Sequence, residues 1–332
     1  MASVKPCSPT LLPLKKLTWE RIIPYLGDAR EAVARLDGEV KGNKYLTDLF
    51  LWKEAAASLQ SHTSLKTVFL HVLGFLEEEN ENPFLQKIVF TRQALDDALS
   101  WGKNSRLGKR FFCHIQARIK QDCPRPEDIG SFRNRQNWIG SKGCKIEDAY
   151  FYPPRASRVD FLFRNLSEYL ESKQTDPLVQ AAIAFAQFLI IHPFMDGNGR
   201  AARIFIPIYA MKRGLLSHPT LLLSAYFEKE RTDYFQKLYH LTVNEDWEDW
   251  IVFFLKGVIL QATRIKKQAL FLKRLFDKIS SLAGTSCAKT LFQAPVVKYK
   301  KSKTLDLLIK EKILIAQDGN LYFAAPLFRA MS

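Results

Sequence analysis

Cysteine is sparse and unpatterned in this chain. Its five residues, Cys7, Cys113, Cys123, Cys144 and Cys287, are odd in number and form no CxxC pair, which argues against a disulfide framework or a zinc site and leaves reduced thiols as the expectation. Long apolar runs are missing too, since nothing approaches the roughly 18 to 20 residues of a membrane span. The first residues, Lys5-Pro6 and then the short patch Leu11–Leu14, lack a signal-peptide core, so a cytoplasmic protein with no membrane partner is expected. Acidic residues are in short supply: 34 Asp and Glu stand against 49 Lys and Arg, a net charge of +15. The shortage is concentrated, because residues 261–332 hold 14 basic and 4 acidic residues and so +10 of the +15. Such a tail favours DNA or an acidic partner, or is simply a solvated face. Core material, by contrast, is ample. A chain of 332 residues, 47% hydrophobic and 25% charged, can build one large domain with small appendages.

Most of the first 260 residues space apolar side chains three and four apart, which predicts a mainly α protein. Helices are expected over Thr18–Leu36, Leu46–Gln60, Ser64–Glu78 and Lys87–Trp101. The stretch Gly130–Gly140, continuing through Tyr150–Pro154, breaks that period and predicts a short β-hairpin flap. Asp176-Pro177 has the chemistry of an N-cap and a first helical residue, opening a nearly all-apolar helix Leu178–Ile191. After a glycine loop, a second helix runs from Arg200 to Arg213 and stops at Gly214. The tail reads as helices Ala269–Leu282, Ser286–Phe292 and Ser302–Lys312, then two short strands around Asp318-Gly319, the pattern of a winged helix-turn-helix. Lys298, Lys300, Lys301 and Lys303 gather at its third helix as candidate nucleic-acid contacts. Three parts follow: a helical N-terminal region 1–100, a core 101–260 and the winged helix 261–332.

Chemistry concentrates in His192-Pro193-Phe194-Met195-Asp196-Gly197-Asn198-Gly199-Arg200. Gly197 and Gly199 let the backbone approach an anion, and the first amides of the next helix would point at it. Arg200 and Arg203, three residues apart, reach one polyphosphate. Asp196 offers the hard oxygen that Mg²⁺ prefers, and His192 is the one group in the loop that accepts a proton near neutral pH. Singly, a histidine before proline caps a helix and Asp-Gly-Asn-Gly makes a tight turn. A base, a carboxylate, an anion nest and two arginines together exceed what a turn requires.

These residues resemble the signature of the Fic (Fido) family, His-x-Phe-x-Asp/Glu-Gly-Asn-Gly-Arg-x-x-Arg, matched at every fixed position from His192 to Arg203. The resemblance extends from about Leu46 to Val258, through Lys53-Glu54-Ala55, Gln136-Asn137-Trp138-Ile139-Gly140, Tyr152-Pro153-Pro154, Gly214-Leu215-Leu216 with Pro219, and Trp247–Gly257. It implies transfer of AMP from ATP to a Ser, Thr or Tyr hydroxyl of a protein substrate. His192 would take the hydroxyl proton, and Asp196 would hold Mg²⁺. Asn198 and the amides of Gly197 and Gly199 would hold the α-phosphate, Arg200 and Arg203 the β- and γ-phosphates, with Phe194 in the same nucleotide-binding set. Tyr234 and Phe235 would lie near the adenine, and Trp138, Ile139 and Gly140 would hold the target by adding it as a strand.

One departure concerns regulation. The family's inhibitory helix carries Ser/Thr-x-x-x-Glu-Gly/Asn, whose glutamate pairs with the second motif arginine; here Ser58-Leu59-Gln60-Ser61-His62-Thr63 places His62 there. A histidine cannot replace that carboxylate opposite Arg203, so release from this brake and weak AMP removal are expected. A rival reading hands the part to an acid within Glu77–Glu81. Pro207 is expected to kink the second loop helix and shift Arg203. Two other functions stay open: a nucleic-acid-binding regulator using the basic tail with the core as nucleotide sensor, and transfer of UMP, GMP, phosphate or phosphocholine. A homodimer and self-modification are both compatible with the sequence.

Overall fold

Helices form where apolar residues recur at helical spacing. The computed structural model describes residues 5–59, 64–73, 83–102, 105–141, 143–298, 302–316 and 321–331. Helices α1 (Trp19–Val40), α2 (Lys44–Ser58), α3 (Leu65–Val72) and α4 (Pro83–Gly102) are followed by α5 (Lys109–Ile119), α6 (Val159–Glu171), α7 (Pro177–Ile191), α8 (Asn198–Lys212), α9 (Ser224–Lys229) and α10 (Arg231–Asn244). A 37-residue helix, α11 (Trp247–Ala283), comes next. The chain ends with α12 (Thr285–Gln293), β1 (Val296–Lys298), α13 (Lys303–Lys310), β2 (Leu314–Ala316), β3 (Leu321–Ala324) and α14 (Ala325–Met331).

The core is built around α7, whose residues from Leu178 to Phe188 are all buried. Its start follows from cap chemistry: Asp176 Oδ1 accepts from the amides of Leu178 at 2.8 Å and Val179 at 3.3 Å, which contributes about 1 kcal/mol. Each large apolar side chain it buries adds about 1.5–3 kcal/mol. Its buried amides reach out for partners, Gln180 Nε2 donating to the Tyr169 carbonyl at 2.6 Å and Gln187 Nε2 to that of Thr10 at 2.8 Å. Trp250 of α11 donates to the Ala182 carbonyl at 2.8 Å and stacks on Phe185, so α11 is fastened to α7, while α1 packs along α11.

Several expectations are corrected. Helix α11 runs unbroken through the boundary expected at 260/261, and the helix read over Ala269–Leu282 is its second half. A change in charge marks that boundary, but no proline or cap interrupts the apolar period. Gly257 is tolerated within the helix because the Tyr226 ring occupies the space, 2.5 Å from where a Cβ would sit. The tail's sheet has three antiparallel strands in the order β1-β3-β2, with Val296 and Ile315 both opposite Phe323. Strand β1, three residues long, is too short to show alternation in sequence. The Asp318-Gly319 turn lies outside the described residues. The expected flap hairpin is reduced to one bridge, Ile139 with Phe151. Pro153 and Pro154 lack the N–H groups that would extend it. Helix α8 continues through Pro207. All five cysteines are free, and among the described residues no helix is long and apolar enough to cross a membrane.

Candidate active site

His192 caps the C-terminus of α7 in a left-handed conformation, φ 49°, its amide donating to the Phe188 carbonyl at 3.0 Å. The ring Nδ1 lies 3.2 Å from the Leu189 carbonyl. A carbonyl only accepts, so Nδ1 carries the proton and Nε2 is the basic nitrogen. Burial pushes the imidazole down to about 4; the Leu189 carbonyl opposes that shift, Arg133 reinforces it and Asp196 opposes it. The ring is therefore neutral at pH 7.

Gly197, at φ +87°, makes the turn from the loop into α8. The first-turn amides of that helix lack intrahelical acceptors, an arrangement suited to an anion. Asp196 projects from the turn, its side chain 66% exposed. Its Oδ1 accepts from the Gly197 amide and its Oδ2 from Lys120 Nζ, both at 2.6 Å. Burial would raise this carboxyl, but the Lys120 bond and charge, Arg200 and the Gly197 amide outweigh it and hold it below the usual carboxylate range. Among the described residues no group of three or more His, Cys, Asp and Glu side chains is arranged for a metal. One exposed carboxylate beside an anion nest does suit Mg²⁺, which is commonly held by one or two carboxylates plus substrate phosphates.

Arg200 Nη1 donates to the Ile119 carbonyl at 3.3 Å. Arg203 is buried, 8% exposed, with Nη1 donating to the Ser58 carbonyl at 3.1 Å and Nε buried without a partner among the described residues. Ser58 is the last residue of α2, so the end of the supposed inhibitory helix meets the second motif arginine through a backbone carbonyl. His62 and Glu77–Glu81 lie outside the described residues. Beside this contact Glu54 is buried, accepting from Ser224 Oγ at 2.6 Å. Burial raises its carboxyl to about 7, against the Ser224 bond and the charge of Arg203.

Two expected nucleotide contacts have other employment. The Phe194 ring is fully buried among Phe132 and Phe188, an anchor of the loop in the core. Asn198 is bonded at both ends of its amide to Phe194, Oδ1 accepting from the Phe194 N–H at 3.0 Å and Nδ2 donating to its carbonyl at 2.8 Å. It shapes the loop from within. Tyr234 is buried against Phe227 and Trp250, whereas Phe235 is 47% exposed. In the flap, Trp138 is 41% exposed, with Nε1 donating to the Cys144 carbonyl at 3.0 Å. Ile139 forms the bridge, and a Cβ on Gly140 would collide with Cys144 Sγ. Lys298 ends β1 and Lys303 opens α13, both exposed; Lys300 and Lys301 lie outside the described residues.

Four residues of the site were missed in sequence: Gln116, Lys120, Arg133 and Asn137. Gln116 Nε2 donates to the Asp196 carbonyl at 3.2 Å while its Oε1 accepts from the Gly130 amide at 2.6 Å. Asn137 Nδ2 donates to the Phe194 carbonyl at 3.1 Å. Each acts from 57 to 80 residues away, so no local motif announces it; Asn137 and Arg133 at least stand in the stretch that breaks the helical period.

A helical core thus delivers a neutral histidine, a carboxylate and two arginines to one anion-suited loop. Residues 106–210 match the model of the Fic/DOC family. A protein adenylyltransferase of Caenorhabditis briggsae is 30% identical over 114 residues, 34% of this chain and 20% of that protein. A probable protein adenylyltransferase of Aquifex aeolicus is 39% identical over 73 residues, 22% of this chain and 23% of that protein. The match thus spans about a fifth of the length of these relatives. Among solved structures, a Fic family protein from Desulfovibrio desulfuricans shares the fold at a TM-score of 0.63 and 15% identity, over 96% of this chain and 98% of that one.

Proposed function

We propose that this protein transfers AMP from ATP to a Ser, Thr or Tyr hydroxyl of a target protein. The observation that carries the reading is His192, neutral, with Nδ1 tied to the Leu189 carbonyl and Nε2 left as the base. The hydroxyl oxygen attacks the α-phosphorus, its proton passes to His192 Nε2, and pyrophosphate leaves with the electron pair of the broken bond. The first amides of α8 receive the α-phosphate, and Arg200 and Arg203 the β- and γ-phosphates. Asp196 is the residue that would hold Mg²⁺, which supplies charge neutralisation at the polyphosphate; Lys120 shares that carboxylate. Phe235, with Tyr234 behind it, would border the adenine, and the exposed edge around Trp138, Ile139 and Gly140 would receive the target strand.

Regulation runs through Arg203. Its acceptor among the described residues is a neutral carbonyl, and such a bond contributes about 0.5–1.5 kcal/mol against about 1.5–3 for a charged partner. ATP can therefore take Arg203 from the end of α2 more easily than from a glutamate. The test is mass spectrometry of the protein and of a cell extract after incubation with ATP and Mg²⁺: a gain of one adenylyl group per modified site is expected in wild type and none in His192→Ala. Equal modification by both proteins would sink the reading.

A second reading concerns the tail. The order helix, strand, helix, strand, strand from Thr285 to Ala324 supports a winged helix, and the exposed lysines Lys298 and Lys303 support binding to DNA phosphates. DNA retention that weakens steeply with salt would support it; retention insensitive to salt would oppose it.

A further inference from the structure

Arg133 is 3% exposed and has no carboxylate partner among the described residues. Its guanidinium instead donates to four carbonyls: Nε to His192 at 2.8 Å, Nη2 to Pro154 at 2.5 Å and to Ile191 at 3.3 Å, and Nη1 to Arg135 at 3.4 Å. Its backbone amide donates to the Pro193 carbonyl at 2.8 Å. Ile191 and His192 are terminal carbonyls of α7, which have no intrahelical donors and sit at the negative end of the helix dipole. Arg135 and Pro154 belong to the two arms of the flap, on either side of the Ile139–Phe151 bridge. A C-cap would need only the first pair, so the bonds to the flap call for a separate explanation. A planar fork of five N–H groups that stays charged when buried can span both sets at once; burial brings Arg133 down only to about 10.

We propose that Arg133 is a positioning residue that locks the His192 base to the flap, so that the strand-receiving edge and the proton acceptor form one rigid unit. The inference rests on the reading of His192 as the base. A target seated on the flap edge then has its hydroxyl registered against Nε2, because the flap and the histidine share one buried cation. The charged groups acting on the imidazole are Arg133 and Asp196, so removing the first leaves the second to favour protonation.

The test uses the full chain as wild type, Arg133→Lys and Arg133→Gln, with histidine ¹⁵N-labelled. Binding of a non-hydrolysable ATP analogue should stay within about twofold in both variants, since Arg200, Arg203 and the α8 amides are untouched. A lysine keeps the charge but lacks the fixed planar fork that meets all four carbonyls at once. Transfer at saturating ATP and target should therefore fall on the order of 100-fold. In wild type, the His192 ring should show one sharp Nδ1–H tautomer, and in Arg133→Lys a broadened or mixed one. Arg133→Gln should lose at least as much rate, with His192 titrating at higher pH. Wild-type turnover by Arg133→Lys, or an unchanged His192 spectrum, overturns the proposal, as does loss of analogue binding in step with rate. If Arg133→Gln does not fold, Arg133→Lys decides alone. If wild type transfers no AMP, the functional reading fails, and the ring spectrum still judges the clamp.

Discussion

Between Ile191 and Phe194 four successive carbonyls receive donors from residues 133–137, and the Asp196 carbonyl receives one from Gln116. In the segment from Thr285 to Met331 the charged side chains are arranged in the opposite way: Lys289, Lys298, Lys303, Lys310 and Lys312 all lie on the surface. The first region spends buried polar groups, expensive to leave unpaired, on holding a few atoms in place. The second presents its charge at the surface. Chemistry needs the former, whereas long-range attraction to a polyanion needs only the latter.

The largest expected effect breaks the comparison on the loop side. His192→Ala should cut AMP transfer by about 10²–10⁴-fold with the thermal midpoint nearly unchanged, while charge reversal at Lys298 and Lys303 should leave the rate within about twofold. A steady-state rate assay on both variants checks this; equal losses would erase the distinction. Next in size is His62→Glu, which supplies the carboxylate that the resembled inhibitory motif carries at this position and should lower transfer about tenfold, the difference of roughly 1–1.5 kcal/mol between charged and neutral partners. Arg203→Ala should raise the KM for ATP by a comparable factor and make His62→Glu silent.

The pH dependence sharpens the same contrast. His192 is depressed to about 4, so the folded chain stays neutral where the unfolded chain protonates. Its contribution is absent above about 6.5 and costs stability as pH falls from there toward 4. The base limb of the transfer profile should accordingly lie below pH 6. Glu54 has the reverse sign: raised to about 7, it stabilises fully below the unfolded value near 4.5, and that stability is lost as pH rises through 7. Glu54→Gln should remove up to about 3 kcal/mol of that dependence, read by denaturant unfolding at pH 5 and 8. The smallest effect falls on the tail: Lys298→Glu and Lys303→Glu, each removing one of the proposed contacts to DNA phosphate, should each flatten the salt dependence of DNA binding by about 0.9 in log–log slope.

What could be read in the sequence was local. Asp176-Pro177 announced α7, and the spacing from His192 to Arg203 announced the loop, because caps, turns and helix faces follow from neighbours in the chain. What was hidden is long-range. Lys120 meets Asp196 across 76 positions, and Arg133 reaches His192 across 59. Phe194 and Asn198 look like ligand-binding residues from their place in the motif, yet their packing and bonds turn them inward. The flap was read too strongly because aromatic and glycine content signals extended chain, whereas two prolines stop the pairing after one bridge.

The central claim is that the α-phosphate, and not the γ-phosphate, ends on a protein hydroxyl through His192. Parallel incubation with ATP labelled at the α- or the γ-position, using wild type and His192→Ala, tests it most directly. Label from the α-position alone, absent in His192→Ala, is the predicted result; label from the γ-position, or α-label that survives His192→Ala, would contradict the account.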